Sequence, residues 1–428
     1  MLGRSEVQLL TPNSFRFVSK CTASLPVKTK KLITFADGNS SNQSTAMKTL
    51  LKLIGYLLIG ACIGLVIVGP VIALTEGESI TTVYSKIASK LSLEDVAGIA
   101  WMVISVLIAF ILHIILHEGG HLVAGLLTGY RFVSFRFLNF TLINQDGHLR
   151  WRNFELAGTG GQCLMAPPDK PLEEIDTRWY NAGGVLANIL IALISLVLIW
   201  AFDLPFWLDA LLINMIIIGI LVALTNGIPM KVGGVANDGR NLLQLEKDIP
   251  GKQGFCNILD INARSQQGDT YSEMPERLFA LPQPIDWTNS MHVGCVMIAA
   301  TRMIALHQWE DAYQLLTEAL NHKDDYIKLY QLEVENMMTQ TCILTGRDDE
   351  ARRHYTQEVE KYVVMHSSTQ SDKQLTSMAV ALALNNDRPK AESMLQKLEA
   401  DRDKFVHQGD VAMCLDLMHH LLTTRQSK

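Results

Sequence analysis

The sequence predicts a mainly α, polytopic membrane protein with about four transmembrane helices, a small β-hairpin region between the second and third, and a C-terminal helical-repeat-like soluble domain. Three observations predict this fold class. Apolar residues form long runs between positions 50 and 230, polar and apolar residues alternate near positions 131–156, and an alanine-centred helical pattern recurs toward the C-terminus. A bilayer-spanning helix needs about 20 apolar residues, whereas a half-buried strand alternates with period two.

Composition divides the 428-residue chain into three parts. Residues 1–46 are rich in Ser, Thr, Asn and Lys without a hydrophobic period, which predicts a disordered N-terminal extension; a natural start at Met47 is an equally supported interpretation. Residues 47–243 form the predicted membrane-embedded domain, and residues 244–428 form the predicted cytosolic domain. The net charge of −6 and the lack of a basic stripe argue against nucleic acid as a partner. The seven scattered cysteines, without a Cys-x-x-Cys pair, predict reduced thiols.

Four apolar runs are long enough to be membrane spans: residues 50–74, 96–127, 182–202 and 208–224. Basic residues are concentrated before the first run, in segment 128–180 and after the fourth run, and the short loop between the third and fourth runs has none. Because cytoplasmic loops carry the excess of Lys and Arg, both termini and segment 128–180 are predicted to lie in the cytosol. The alternative, a large soluble protein with long buried helices, does not account for this asymmetry.

The second run contains three ionisable residues within five positions, namely His117, Glu118 and His121. Such groups are costly inside a bilayer and mark functional sites there. In a His-Glu-x-x-His pattern on a helix, the two imidazoles share one face and can bind one zinc ion, and the glutamate can accept a proton from water. The alternative is a pair of histidines that hydrogen-bond to neighbouring helices. His113, one turn earlier, is predicted to be a buried structural histidine.

A catalytic zinc ion takes three protein ligands, so a third ligand is expected from another segment. Asp238, which precedes a glycine, is the best carboxylate after the fourth span, where Asn226 and Pro229 are predicted to break the helix. The alternative for Asp238 is a helix N-cap, and the two roles are compatible. In the third span, Asn188 is expected either to hydrogen-bond a substrate carbonyl or to hold two helices together.

Taken together, these motifs resemble the site-2 protease family of zinc intramembrane metalloproteases. The resemblance covers roughly residues 96–243 and rests on His-Glu-x-x-His, a Gly-rich start of the third span, and Asn-x-x-Pro followed by Asp-Gly. The family cleaves transmembrane helices of regulatory proteins, or leftover signal peptides, in regulated intramembrane proteolysis. The resemblance implies three zinc ligands (His117, His121 and Asp238), a general base (Glu118) and two supporting groups near the scissile peptide (Asn188 and Asn226).

The chain departs from the family pattern at the third ligand. Eight residues, 230–237, separate Pro229 from Asp238, which is more than is usual in the family. Asn237 stands where leucine is common. The PDZ-like insert of many relatives is not evident in the sequence.

Segment 131–156 alternates polar and apolar residues around Gln145-Asp146-Gly147, which is a hairpin signal. Strands are predicted at about 131–143 and 148–156, and the Gly/Pro-rich stretch 158–171 is predicted to be an irregular loop. A peptide must be extended for hydrolysis, so an edge strand beside the metal can hold it by strand addition. A hairpin without a substrate role is the alternative. Cys163 has no clear His partner and is not predicted to be a nucleophile.

The predicted cytosolic domain contains a pattern that recurs around Ala312, Ala351 and Ala391, at spacings of 39 and 40 residues. Each of these alanines follows an apolar helix, and a small residue there lets paired helices pack closely. The pattern resembles tetratricopeptide-like helix pairs, with an unrelated helical bundle as the alternative. We expect this domain to bind a protein partner or to gate substrate entry.

The sequence thus predicts an integral membrane enzyme that uses Zn²⁺ to hydrolyse peptide bonds of transmembrane-helix or signal-peptide substrates, in contact with membrane lipid. The alternative function is a catalytically inactive membrane scaffold that recruits a partner through its helical repeats. A metal transporter is not favoured, because one cluster of intramembrane ligands does not make a path.

Overall fold

The structure, a computed structural model, describes residues 70, 73–75, 77, 79–90, 92–145, 147–153, 160–232 and 234–425. It is mainly helical and contains a small antiparallel sheet. The predicted extension 1–46 and nearly all of the first predicted span, 50–74, lie outside the described residues. Contacts group these residues into two compact units: one contains residues 114–188 and 222–425, and the other contains residues 189–221 and the described residues up to 113.

Among the described residues, three helices that follow the short helix α1 (Ile80–Lys90) are long and apolar enough to cross a membrane. They are α2 (Leu93–Leu127), α3 (Arg178–Ala201) and α4 (Phe206–Gly227), and they match the second, third and fourth predicted spans. Large apolar side chains along them are exposed, including Trp200 at 86%. Extensive apolar exposure of this kind marks a surface that contacts lipid or another protein.

The end of α4 differs from the prediction. The helix continues through Asn226 to Gly227, so the prediction that Asn226 breaks it is wrong. The physical reason is that the Asn226 side chain donates to the carbonyl of Val222 one turn back, at 3.0 Å, which is compatible with a helical backbone. The helix ends instead just before Ile228, where the following Pro229 disfavours the helical conformation.

The sheet lies between α2 and α3 in the chain and has the strand order β3-β2-β1-β4. Its strands are β1 (Arg131–Phe137), β2 (Phe140–Gln145), β3 (His148–Asn153) and β4 (Gly161–Ala166). The predicted hairpin at Gly147 is confirmed by the pairing of Gln145 with His148. Since β3 and β4 are the edge strands of this order, β4 pairs with β1 on one side and with no other strand of the described residues.

Two predictions for this segment are wrong. The predicted strand 131–143 is divided by a turn at Leu138, which has a φ of 50°. The N–H of Leu138 donates to the carbonyl of Gly160 at 2.8 Å, and this hydrogen bond stabilises a turn that contains no glycine to reveal it in the sequence. The stretch 158–171 contains β4 rather than only irregular loop, because the apolar residues after Gly161 pair with β1.

The helices α2 and α3 cross at two facing glycines. A Cβ added to Gly120 would lie 2.2 Å from the carbonyl oxygen of Gly183, and one added to Gly183 would lie 2.4 Å from the carbonyl oxygen of Gly120. Only residues without side chains permit such an approach, as in other close helix crossings in membranes. At Gly119, by contrast, an added Cβ would meet nothing within 4 Å. The close approach of the two helices therefore requires glycine at position 120 but not at position 119.

After α4 and the short helix α5 (Asp238–Gln244), the described chain is helical to its end. The helices of this part are α6 (Ile249–Gln267), α7 (Ser290–Ala305), α8 (Trp309–Asn321), α9 (Lys328–Leu344), α10 (Asp348–His354), α11 (Gln357–His366), α12 (Ser371–Ala383), α13 (Arg388–Asp401) and α14 (Gln408–Thr424). Three of the helix pairs form hairpins: α7 with α8, α9 with α10, and α12 with α13.

The three hairpins share the same local geometry. Each has a fully buried alanine in its second helix: Ala312, Ala351 and Ala391. Five residues before each alanine, the turn contains a residue with positive φ: His307 (59°), Gly346 (77°) and Asn386 (52°). The repeat therefore exists in the backbone as well as in the sequence. Its spacings of 39 and 40 residues exceed the roughly 34 residues of tetratricopeptide repeats, and α11 lies between the second and third hairpins.

The helix α6 packs against the sheet. Ser134 on β1 donates to the side-chain oxygen of Gln266 at 3.0 Å, and the Gln266 amide donates to the carbonyl of Val133 at 3.3 Å. Ahead of α3, Thr177 donates through its N–H and its hydroxyl to the Glu246 carboxylate, at 3.0 and 2.8 Å. The sheet and the C-terminal helices thus belong to one compact unit, and packing is continuous across the predicted boundary at residues 243 and 244.

Candidate metal centre

The structure brings together three of the predicted site residues. His117 and His121 lie one turn apart on α2, and Asp238 is the first residue of α5. The Nε2 atoms of the two histidines are 3.2 Å apart, and the Oδ2 atom of Asp238 lies 3.1 Å from Nε2 of His117 and 3.3 Å from Nε2 of His121. Three potential ligand atoms from two distant segments therefore form a nearly equilateral triangle.

This triangle fits a zinc ion. Tetrahedral zinc with bonds of about 2.0–2.1 Å holds its ligand atoms roughly 3.3–3.5 Å apart, close to the observed separations. Two imidazoles and one carboxylate are a ligand set that catalytic zinc takes, and they leave a fourth position free. Both imidazoles are buried, and the Asp238 side chain is 23% exposed. The residues present thus satisfy the donor chemistry and the spacing of a zinc site.

The other ring nitrogens face α3. Nδ1 of His121 lies 2.6 Å from the carbonyl oxygen of Tyr180, and Nδ1 of His117 lies 3.0 Å from the side-chain amide of Asn188. A histidine that binds a metal through Nε2 carries its proton on Nδ1 and donates it to such a partner. The structure places Nδ2 of Asn188 at this distance, and because amide oxygen and nitrogen are interchangeable by rotation of the group, we assign the Asn188 oxygen toward His117. From the sequence, hydrogen bonds to a neighbouring helix were the alternative to a metal site. In the structure the two histidines make such bonds through Nδ1, which is compatible with metal binding through Nε2.

Asn188 is completely buried behind His117. This position lets it fix the orientation of the imidazole that points to Asp238. Its expected contact with a substrate carbonyl stays a prediction. Asn226, the other predicted supporting group, bonds to the backbone of its own helix through Val222, and the structure does not place it among the three ligand atoms. His113 is completely buried and lies 2.7 Å from the carbonyl oxygen of Met215, as predicted for a structural histidine.

Gly184 on α3 lies directly beneath the two imidazoles. A Cβ at this position would lie 2.5 Å from Cε1 of His117 and 2.5 Å from Nε2 of His121. Contacts this short do not occur in real structures, so any side chain here would displace the histidines. The Gly-rich start of the third span therefore has a local reason: it allows α3 to approach the site.

Asp238 is held in place by Asn237, whose role was not predicted from the sequence. The Asn237 side chain accepts from the N–H of Arg240 at 3.1 Å and from the N–H of Met230 at 3.0 Å, and it donates to the carbonyl of Ile228 at 2.7 Å. Asn237 is thus the N-cap of α5, so the alternative N-cap role for Asp238 is wrong. The signal was an asparagine before a helix start, which is a favoured capping residue. The carboxylate of Asp238 is left to face the histidines.

The loop of eight residues before Asp238 closes on itself. Its strands β5 (Lys231–Val232) and β6 (Val235–Ala236) pair antiparallel, with Gly234 at a φ of 90° in the turn. The N–H of Asn237 donates to the carbonyl of Met230 at 3.1 Å, so the chain re-enters beside the point where it left. The additional residues therefore protrude without displacing Asp238.

The protruding turn touches the C-terminal helices. Ser290, the first residue of α7, donates its hydroxyl to the carbonyl of Gly234 at 2.7 Å, and the ammonium of Lys231 donates to the carbonyl of Thr288 at 3.0 Å. A Cβ on Gly234 would lie 2.0 Å from the side chain of Ile327, which precedes α9. The loop is thus fixed at two points: Asn237 fixes its end near the site, and α7 fixes its tip.

Electrostatics keep the Asp238 side chain ionised. Burial alone would raise its pKa, but the adjacent imidazoles of His121 and His117 outweigh this effect and hold the pKa well below its usual range. The side chain is therefore a carboxylate at neutral pH, which is the form that binds a metal.

Glu118 lies beside β4. The N–H of Cys163 donates to its carboxylate, and a Cβ on Gly161 would lie 2.9 Å from its Oε1 atom. The carbonyl of Cys163 accepts from the hydroxyl of Tyr180 at 2.8 Å. Burial raises the pKa of the Cys163 thiol well above its usual value. A thiol in that state is a poor nucleophile, which agrees with the prediction for Cys163.

Arg136 was not predicted as a site residue and counted only as a basic residue of segment 128–180. This arginine on β1 is 3% exposed, and its guanidinium donates to the carbonyl of Leu138 at 3.1 Å. Burial lowers the pKa of Arg136 to about 10, and the charge of Glu118 acts in the opposite direction. The group is therefore a buried cation at neutral pH. Its signal in the sequence was an arginine between two phenylalanines of a strand.

Comparison with known proteins does not add to these observations. No family model, no curated protein and no solved structure matches the chain. The geometry of His117, His121, Asp238 and Glu118 therefore carries the functional argument.

Proposed function

We propose that the protein is an intramembrane zinc metalloprotease, similar to the site-2 protease family, that hydrolyses peptide bonds of membrane-spanning substrates. The observation that carries this proposal is the convergence of ligand atoms from His117, His121 and Asp238, at separations of 3.1–3.3 Å. Both histidines lie on a helix long and apolar enough to cross a membrane, and Glu118 follows the first of them. Ionisable groups in an apolar helix need a reason, and metal binding supplies one.

The proposed substrates are transmembrane helices or signal peptides, which reach the site from the surrounding lipid. The motif lies in the last third of α2, close to segment 128–180. By the distribution of basic residues, that segment and both termini lie in the cytosol, so the site is near the cytosolic side of the membrane.

In the proposed reaction, the residues around the metal centre have separate roles. Zinc, when bound, polarises the scissile carbonyl and brings the pKa of a water molecule toward about 7. Glu118 accepts the proton of the attacking water and delivers it to the leaving amine. The N–H of Cys163 orients the Glu118 carboxylate for this transfer. Arg136, a buried cation on β1, interacts electrostatically with Glu118.

The edge strand β4 supports an extended substrate near Glu118. It is paired on one side with β1, and its Cys163 contacts Glu118 on the other side. Both the N–H and the carbonyl of Cys163 are already bonded, to Glu118 and to Tyr180. A substrate that adds to this edge therefore pairs with other residues of β4.

The C-terminal hairpins carry the second part of the proposal. Residues 244–428 act as a cytosolic, tetratricopeptide-like domain that binds a protein partner, as stacked helix pairs do. The same hairpins favour a second candidate function, a catalytically inactive membrane scaffold. The two candidates differ in whether the centre binds zinc and cleaves peptides.

The substitution Glu118→Gln tests the proposal. Wild type and variant are expressed in membranes, purified with detergent and measured for zinc content, and the membrane proteomes of the two strains are compared for cleaved fragments. Glu118→Gln is expected to retain zinc, because it leaves the three ligands intact, and to abolish cleavage, because an amide cannot accept the proton. The control is Glu94→Gln, at the exposed start of the same helix, which is expected to retain both.

Two outcomes would contradict the proposal. Cleavage by Glu118→Gln at the wild-type rate would remove Glu118 as the general base. A wild-type protein without zinc at this centre and without cleaved fragments would favour the scaffold.

A further inference from the structure

A second cluster of metal-ligating side chains lies in the second helix hairpin. Cys342 is in the last turn of α9, and Glu350 and His354 are one turn apart on α10. One potential ligand atom of each residue lies within 4.8 Å of the other two. The cluster is remote in the sequence from the centre formed by α2 and α5, and the proposed function does not use it.

The hydrogen bonds of His354 prepare one ring nitrogen for a metal. Its Nδ1 lies 2.6 Å from a carboxylate oxygen of Glu335, which is on α9. The Glu335 carboxylate is also paired with Lys323. When Nδ1 donates its proton to a carboxylate, the lone pair is on Nε2, and metal-binding histidines are generally oriented in this way.

Burial gives the cluster one protected and one open side. The Cys342 side chain is completely buried, whereas the side chains of Glu350 and His354 are 24% and 20% exposed. An ion can therefore approach from solvent past the partly exposed groups and meet the thiol from the protein side. Tyr313 donates to one oxygen of Glu350 at 2.9 Å, which leaves the other oxygen for a ligand bond.

We propose that Cys342, Glu350 and His354 bind one zinc ion that links α9 to α10, with water in the fourth position. A thiolate, an imidazole and a carboxylate are all zinc ligands, and the thiolate selects against magnesium and calcium. Tetrahedral zinc holds its ligand atoms roughly 3.5 Å apart, so a pair of side chains at the upper limit of 4.8 Å would have to approach by about 1.3 Å.

The test uses cobalt as a probe in the full-length protein purified in detergent. A cobalt–thiolate bond gives a near-ultraviolet charge-transfer band, and the centre at His117 contains no sulfur ligand. Wild type is expected to show this band and to bind two zinc ions per chain. Cys342→Ser and His354→Gln are expected to lose the band and one zinc ion. The His354 side chain is 20% exposed, so its substitution is expected to preserve the fold even where that of the buried Cys342 does not.

Two controls separate this site from the proposed function. His117→Ala is expected to lose one zinc ion but to keep the band, and Cys414→Ser, which changes another buried cysteine, is expected to keep both. Glu335→Gln weakens the hydrogen bond to Nδ1 and is expected to lower cobalt affinity about 10–100-fold. Wild type without the band, or a band that persists in Cys342→Ser, would overturn the proposal. Neither result bears on cleavage at Glu118.

Discussion

At the scale of single residues, the site depends on side chains that contact its candidate ligands. Asn188 lies behind His117, Tyr180 accepts from His121, and Asn237 caps the helix that starts with Asp238. The candidate ligands themselves could be predicted from the sequence, because residues four apart on a helix share a face and zinc needs a third donor. The supporting contacts could not, since an asparagine has several compatible partners until the packing of helices selects one.

Asn188→Ala tests the orienting role of this amide. The variant removes the acceptor for the Nδ1–H of His117, so zinc affinity is expected to fall about 10–100-fold. Competition with a chelator of known affinity measures the change. The matched control is Ser195→Ala on the same helix, whose hydroxyl donates only to the carbonyl of Ile191, and it is expected to keep wild-type affinity. Equal affinities of Asn188→Ala and wild type would assign Asn188 to helix packing alone.

At the scale of elements, long runs were predicted better than short turns. The spans that became α2, α3 and α4 were evident because about 20 consecutive apolar residues are typical of membrane helices and rare in soluble proteins. The division of the predicted strand at Leu138 was missed because a non-glycine residue in the left-handed region leaves no compositional signal. The edge strand β4 was predicted to be a loop because it follows a Gly-rich stretch, although its pairing with β1 depends on residues about 30 positions earlier.

Gly184→Ala tests the approach of α3 to α2. The added methyl group would lie 2.5 Å from both imidazoles, so the histidines must move apart, and loss of zinc and of cleavage is expected. The control is Gly119→Ala, where an added Cβ meets nothing within 4 Å. Zinc analysis and the fragment comparison give the readouts. Full zinc occupancy in Gly184→Ala would show that the centre tolerates a side chain there.

At the scale of the whole molecule, a buried ion pair connects the second and third hairpins. The ammonium of Lys373 on α12 lies 2.7 Å from both carboxylate oxygens of Glu333 on α9, and the hydroxyl of Tyr362 on α11 bonds to the same carboxylate. Burial alone would raise the pKa of Glu333, but Lys373 outweighs it and the net pKa lies below its usual value. The stabilisation from Glu333 is therefore present above its unfolded-state pKa, about 4.3, and is lost as the pH falls through the lower pKa of the folded state.

Lys373→Ala is expected to destabilise the full-length protein strongly. Removal of one partner leaves a buried carboxylate without its counterion, which costs about 3–5 kcal/mol. Thermal unfolding in detergent, followed by circular dichroism, measures the loss. The control is Lys328→Ala, which breaks an exposed pair with Glu358 and is expected to cost less than about 1 kcal/mol. Similar losses in the two variants would mean that burial does not strengthen the inner pair.

The loop 230–237 mechanically connects the start of α7 to Asp238. At one end of the loop, the N–H of Met230 donates to the side chain of Asn237, which precedes Asp238. At its tip, the carbonyl of Gly234 accepts from Ser290 at the start of the first hairpin. A displacement of the start of α7 would therefore be passed through the loop to the carboxylate of Asp238. Under the proposed function, a protein that binds the hairpins and displaces the start of α7 is therefore expected to change the activity of the centre.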